Sequence, residues 1–295
     1  MRVVSVLLLS ALVLAGAAVA ALVVWPIGET RNLVGLKGNA ERGAYLARMS
    51  GCIACHTDTE NGGLPLAGGV ALKTKFGTFY SPNLTTDEEH GIGGWSIQDF
   101  AKSVRQGVSK DGSPYYPAFP YPFYAKFSDQ DIADLWTAFQ TVPPVPEPTP
   151  DQDVKFPFNF RDGLKLWQAL FLEKSDFRPK QGQDNVWNRG RFIVEGPAHC
   201  AACHTPRNLL GARQAEFDLQ GANDLPGGGK SPPITTEALT KAGWTEQSLA
   251  YALRTGVLPD GDTFGGTMGE VVRDGTSFLA QSDLDAIATY LMNQE

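Results

Sequence analysis

The chain has 295 residues, 42% of them hydrophobic and 19% charged, with a formal net charge of −7. That length and composition suit a globular protein with two domains and real cores. No basic stretch exists, which argues against nucleic-acid binding. An acidic surface instead suits the steering of a basic redox partner.

The chain opens with Met1-Arg2 and then residues 3–25, which carry no charged side chain and are rich in Leu, Val and Ala. At about 1.5 Å rise per residue such a run crosses a hydrocarbon core of about 30 Å. Trp25 would lie at the far interface and Pro26 would end the helix. Arg2 and the amino terminus favour the cytoplasmic side, so everything after the helix is exported. An uncleaved signal-anchor over residues 1–26 is the preferred reading. A signal peptide cleaved within the small residues 17–21 is the alternative.

A helix over residues 40–51 then leads into Cys52-Ile53-Ala54-Cys55-His56, and the same pattern returns as Cys200-Ala201-Ala202-Cys203-His204. Each is C-x-x-C-H, the attachment signature of a c-type haem. Two thiols three residues apart reach the two vinyl groups on one porphyrin edge. The His lies one helical turn after the first Cys, faces the same ring and ligates the iron. A dithiol redox pair has no reason to place His directly after the second Cys. A four-Cys zinc site would leave both His idle. The motifs use all four Cys, so none remains for a disulfide. The expectation is two covalently bound haem c groups, held by Cys52, Cys55, Cys200 and Cys203, with His56 and His204 as axial ligands. Covalent haem attachment outside the cytoplasm agrees with export.

A Gly/Pro-rich loop follows each motif. A middle helix is expected after Trp95, capped by Ser96 with Asp99 three residues on, and its counterpart starts at Thr245. Final helices are expected over 128–140 and 282–293. Ile132, Leu135, Trp136 and Phe139 share one face of the first of these. Between the halves, Pro143, Pro144, Pro146, Pro148 and Pro150 make a stiff extended stretch. A short helix with a broad apolar face is expected over 160–172. It either packs between the domains or meets a membrane surface or partner.

Laid on itself, the chain repeats. Cys52 and Cys200 are 148 residues apart; Pro82 and Pro232 are 150 apart; Trp95 and Trp244, Gly107 and Gly256, and Asp111 and Asp260 are each 149 apart. Two copies mean a domain duplication rather than a solenoid. The expected fold class is all-α: two tandem cytochrome c domains, each wrapped on a covalent haem, behind an N-terminal transmembrane helix. The expected segments are the anchor 1–26, domain one 38–142, the linker 143–186 and domain two 187–295.

Several segments carry a family resemblance: Arg42-Gly43, Tyr45-Leu46, the first haem motif, Phe76-Gly77-Thr78, Tyr80-Ser81-Pro82-Asn83, Gly91 to Trp95, and Tyr116-Pro117-Ala118-Phe119-Pro120-Tyr121. They resemble the cytochrome c subunits of bacterial membrane-bound alcohol and gluconate dehydrogenases and their free-standing dihaem relatives. The resemblance covers residues 39–291 and implies haem wrapping and electron transfer. Those subunits usually have three haem motifs where this chain has two, which favours a stand-alone carrier.

A six-coordinate carrier haem needs a second axial side chain. For the second haem, Met268 in a Gly-rich loop is the candidate, on its location and on the matching segment of the related cytochromes. At the repeat offset of 149, its counterpart is Phe119. A second place where the relatives carry Met is Phe127. Residues 109–126 contain no Met and no His. The first iron is therefore open or water-bound, or takes Lys110, Lys126, Tyr115, Tyr116, Tyr121, Tyr124 or His90, or the loop rearranges. The first haem is expected to have the lower potential. Pro82 and Pro232 are expected to offer carbonyls to the proximal His rings. Arg105 and Arg254 recur at one repeat position, as propionate partners or exposed helix charges. His199, just before Cys200, reads as a hydrogen-bonding or surface residue, and His90 as an exposed loop residue.

The functional expectation is a single-pass protein of the bacterial inner membrane with its haem domains in the periplasm. It relays electrons from a quinol- or substrate-oxidising complex to a soluble cytochrome or terminal oxidase. The alternatives are a haem enzyme acting at the first haem, a dihaem peroxidase or sulfur-compound oxidoreductase, and a dehydrogenase cytochrome subunit.

Overall fold

The computed structural model describes residues 2–173, 176–225 and 228–294. Met1, Lys174, Ser175, Pro226, Gly227 and Glu295, which the expected segments take in, lie outside the described residues. So does the side chain of Arg2, on which the orientation expectation rests.

Helix α1 (Arg2–Val24) is the one described helix long and apolar enough to cross a membrane. Leu7, Leu12 and Val24 along its length are exposed, so no protein core accounts for their apolar character. The chain then runs down the first domain. Gln106 accepts from Glu29 N at 2.7 Å and donates to Glu29 O at 2.7 Å.

Helix α2 (Ala40–Met49) starts where the Asn39 side chain accepts from Arg42 N at 2.9 Å. It gives way at Gly51 (φ 69°) to the short helix α3 (Cys52–Cys55). A left-handed residue here costs little only for Gly. Next comes a hairpin, β1 (Ala71–Thr74) and β2 (Gly77–Tyr80), with Ala71 opposite Tyr80. Helix α4 (Ile97–Gln106) begins at the expected Ser96/Asp99 capping box. It is followed by α5 (Tyr121–Tyr124) and α6 (Asp129–Phe139), the latter capped by Ser128.

The linker supplies β3 (Asp153–Val154), which pairs with β2, and α7 (Gly163–Phe171). The second half follows the same course: α8 (Asn185–Glu195), α9 (Ala201–His204), α10 (Thr236–Lys241), α11 (Glu246–Thr255), α12 (Gly266–Asp274) and α13 (Gln281–Met292). The helical expectation holds, with one small sheet added. The fold is mainly helical with one three-stranded sheet, order β1-β2-β3. The strands escaped the sequence reading because they are two to four residues long and β1 is largely exposed, so no hydrophobic alternation marks it.

In each half the first and last long helices cross closely at a glycine. A Cβ on Gly43 would run into the Asp134 carbonyl, and one on Gly190 into the Ala286 carbonyl. Around these crossings lie Leu46, Ile132 and Leu135 in one half and Ile193, Leu284 and Ile287 in the other, all 2% exposed or less. Acidic residues on the last helix tie each crossing. Arg42 pairs with Asp131 and Asp134, and Arg189 with Asp283 at 2.8 Å.

The halves pack on each other through contacts at like positions of the repeat. The end of α2 meets the approach to α13, where Arg48 lies 4.1 Å over the Phe278 ring. The end of α8 meets the approach to α6, where Lys126 pairs with Glu195 at 3.1 Å. Tyr45 OH donates to Asp283 at 2.7 Å and accepts from Ala280 N at 3.0 Å.

Candidate haem-binding sites

The two Cys-x-x-Cys-His segments are built alike from the backbone up. His56 Nδ1 lies 2.7 Å from Pro82 O, and His204 Nδ1 lies 2.7 Å from Pro232 O. A carbonyl only accepts, so each Nδ1 carries the proton and each Nε2 keeps its lone pair. The loops that bring the two prolines back are also matched. Gly68 N donates to His56 O at 2.8 Å, and Gly221 N to His204 O at 2.7 Å. Leu66 N donates to Thr57 Oγ1 at 3.1 Å, and Leu219 N to Thr205 Oγ1 at 3.0 Å. Leu66 and Leu219 sit at φ 62° and 58°, a left-handed conformation uncommon for non-Gly residues. That both copies hold it marks one shared loop design.

Electrostatics favour neutral groups. Burial lowers His56 to about 4 despite the opposing Pro82 hydrogen bond, and lowers His204 for the same reason. Burial raises the Cys52 and Cys200 thiols to about 12. Cys55 is raised by desolvation and then by the nearby Cys203 thiol. The approaches to the two motifs adjoin at the boundary between the halves, where a Cβ on Gly51 would lie 3.8 Å from His199 Cε1. Tyr124 and His199 fill that boundary. Tyr124 OH donates to Ser50 O at 2.5 Å, and its ring lies 6.0 Å from the His199 ring.

Of the two readings of His199, hydrogen-bonding or surface residue, the surface one does not hold. The residue is half-buried against Phe123 and Tyr124, and its buried Nδ1 has no partner. Arg105 is buried, not an exposed helix charge. Its Nη2 donates to Asp129 at 2.6 Å, and its Nη1 is buried without a partner. Arg254 differs, donating to Ser277 O at 2.6 Å. Ser50 Oγ is the third such orphan among the described residues. Two of the three lie just before a motif, Ser50 two residues ahead of Cys52 and His199 next to Cys200. Buried polar atoms ordinarily find partners. Together with two thiol pairs and two imidazoles with free Nε2 lone pairs, this donor set fits a covalent haem at each motif.

Met268 is half-buried on α12 and packs against the core. The sequence candidates in the first half are dispersed. Tyr121 OH accepts from Gln168 Nε2 at 3.3 Å, and Lys126 is engaged with Glu195. Tyr116 OH donates to Phe158 O at 2.9 Å, Lys110 Nζ donates to Gly94 O, and the Tyr115 hydroxyl meets Ser103. His90 is half-buried in a loop closed by Ile92 N to Thr85 O at 2.9 Å. Sequence reasoning did not find Tyr45, Asp283 or Glu195 at the interface; their partners lie far away in the chain and leave no local signal.

No protein-family model matches the chain. It is 41% identical over 265 residues to a dihaem c-type cytochrome of Cereibacter sphaeroides, covering 87% of this chain and 86% of that one. The chain belongs to the dihaem c-type cytochromes. It is also 40% identical over 261 residues to the gluconate 2-dehydrogenase cytochrome c subunit of Pantoea cypripedii, covering 85% of this chain and 58% of that protein. It is 38% identical over 260 residues to the cytochrome c subunit of the quinone-dependent alcohol dehydrogenase of Gluconobacter oxydans, covering 85% and 54%. The cytochrome thus spans little more than half the length of those two dehydrogenase subunits.

Proposed function

We propose that this cytochrome is a membrane-tethered electron relay with a haem c bound through Cys52 and Cys55 and another through Cys200 and Cys203. The domains are 38–142 and 187–295, joined by the linker 143–186. His56 and His204 are the proximal ligands, and Met268 is the distal ligand of the second haem. Bound haem supplies reversible one-electron exchange. The chain's part is to orient and to insulate. The Pro82 and Pro232 carbonyls fix the tautomer and direction of each imidazole and make it a better donor. The aromatic and aliphatic core excludes water. Arg105 Nη1 suits a propionate oxygen. Its Asp129 hydrogen bond holds the guanidinium in place.

One observation carries the reading: the two motifs are built alike, each His Nδ1 held 2.7 Å from a proline carbonyl, and they adjoin where Gly51 nears the His199 ring. Such an approach suits exchange between two centres within one chain. The electron source is a substrate- or quinol-oxidising complex, and the acceptor is a soluble cytochrome or terminal oxidase. A second reading, a cytochrome subunit held in a dehydrogenase complex, is favoured by the likeness to the gluconate and alcohol dehydrogenase cytochrome subunits. Helix α1 is the anchor in the bacterial inner membrane, with the haem domains in the periplasm. Helix α7 lies against the bilayer surface, because Lys165 on α7 donates to Leu22 O and Val23 O at the end of α1.

The test is a haem count. The denatured chain is expected to keep haem through electrophoresis, and the pyridine haemochrome to give two haems per chain. The Cys52→Ala/Cys55→Ala pair and the Cys200→Ala/Cys203→Ala pair should each lower the count by one. A wild-type count of one or none overturns the proposal.

A further inference from the structure

The two halves match closely enough to say which segment of the first corresponds to Met268. From Trp95 to Tyr115 the offset is 149: Tyr115 N donates to Gly107 O at 2.7 Å, as Phe264 N does to Gly256 O at 2.9 Å. From Tyr124 the offset is 152: Phe127 N donates to Tyr124 O at 3.0 Å, as Leu279 N does to Thr276 O at 3.0 Å. The second half therefore holds three extra residues between these points. The single offset of 149 expected from the sequence does not persist. Met268 falls inside the shift, and its counterpart is the segment Tyr116-Pro117-Ala118-Phe119. Phe127, the other place considered, matches Leu279. Both are core residues, 1% and 2% exposed.

That segment offers iron nothing. Phe119 has no lone pair, and its ring sits among tyrosines, 6.0 Å from Tyr115, 6.2 Å from Tyr121 and 5.8 Å from Tyr124. Tyr116 alone brings a heteroatom, and its hydroxyl is committed to Phe158 O. The neighbouring donors are committed as well. Tyr124 serves Ser50 O, Tyr121 takes Gln168, Lys126 pairs with Glu195 across the interface, and Lys110 reaches Gly94 O. Burial also raises the Tyr121 hydroxyl, which disfavours the phenolate that iron would need. Freeing Tyr124, Tyr121 or Lys126 would leave a buried or half-buried partner unpaired, whereas Tyr116 and Lys110 bond exposed carbonyls.

We propose that the first haem has no distal ligand from the loop of residues 109–127 and that this face is a binding site for a small neutral ligand of the diatomic class. The aromatic surroundings set the class. An anion would have to shed water among rings that return no hydrogen bond, whereas a neutral diatomic loses little. The inference rests on the covalent haem reading, and the two fail in different ways.

The experiment uses the full-length holoprotein with two haems counted per chain, and carbon monoxide as the probe. On reduction, one carbon monoxide is expected to bind per chain. The ferric form should show one high-spin and one low-spin haem, and only one thioether-to-iron band in the far red. Phe119→Met should convert the high-spin haem to low-spin and abolish carbon monoxide binding. Met268→Ala should raise binding to two per chain. Two low-spin haems and no carbon monoxide binding in the wild type overturn the inference. His90→Ala then identifies the ligand: carbon monoxide binding gained in that variant assigns His90 and rejects the open site. A haem count below two overturns the relay proposal instead, and is read before any ligand is added.

Discussion

Single residues carry the electrostatics of this fold, and two aspartates make the point. Burial alone would raise the Asp134 carboxyl. The hydrogen bonds from Asn39 N at 2.7 Å, Arg42 and Gln130 outweigh it and hold the group below the usual carboxylate range. Asp283 is held down in the same way by Arg189 and Tyr45. A folded-state pKa below the unfolded one adds stability that is complete above the unfolded value, about 3.9, and is lost as pH falls through the folded value. The melting temperature should therefore be flat near neutrality and fall below about pH 4. Asp134→Asn should cost about 1–3 kcal/mol at pH 7 and flatten that acid fall. A variant that melts with the wild type at both pH values would reject the account. The sequence made the His56, His204, Pro82 and Pro232 arrangement legible, because its spacing repeats. It did not reveal the burial of Arg105 or the orphan nitrogen of His199. Both depend on which elements close over them.

Helices and their caps were the most legible level. The Ser96/Asp99 box opens α4 and Thr245 opens α11 as their patterns dictate. The hairpin was invisible because a four-residue exposed strand has no period to detect. The crossing glycines lie between these cases. Gly43 and Gly190 stand at one repeat position, but only the packing shows what they admit. At each, the neighbouring helix comes so near that a methyl group meets its backbone. Backbone cannot swing aside as a side chain can. Gly43→Ala and Gly190→Ala should each destabilise by about 1–3 kcal/mol, although alanine is the better helix former. Denaturant midpoints measure this. A midpoint at or above the wild type's would mean that the crossing is looser than described.

At the scale of the whole molecule, duplication decides how the parts are arranged. Contacts at like positions bring the ends of α2 and α8 to the same interface, beside which the two motifs follow. The second global feature is the seat of the molecule below α1. A helix end leaves carbonyls without partners, and here Lys165 supplies Leu22 O at 3.2 Å and Val23 O at 2.6 Å. Asp162 lies 2.9 Å from the same ammonium. The pairing fixes α7 where α1 emerges. Near it the chain exposes Trp25 (54%), Leu166 (52%) and Leu170 (63%). If α1 is the anchor proposed above, a bilayer interface would stabilise such exposed apolar groups at about 0.8 kcal/mol per buried CH₂. Replacing residues 1–25 by a cleavable signal should therefore release a haem-loaded protein that still sediments in part with phosphatidylcholine vesicles. Leu166→Ser with Leu170→Ser in that truncated protein should lower the bound fraction several-fold and leave the haem count unchanged. A truncated protein found wholly in the supernatant would mean that α7 packs only against protein, and that α1 alone holds the cytochrome to its membrane.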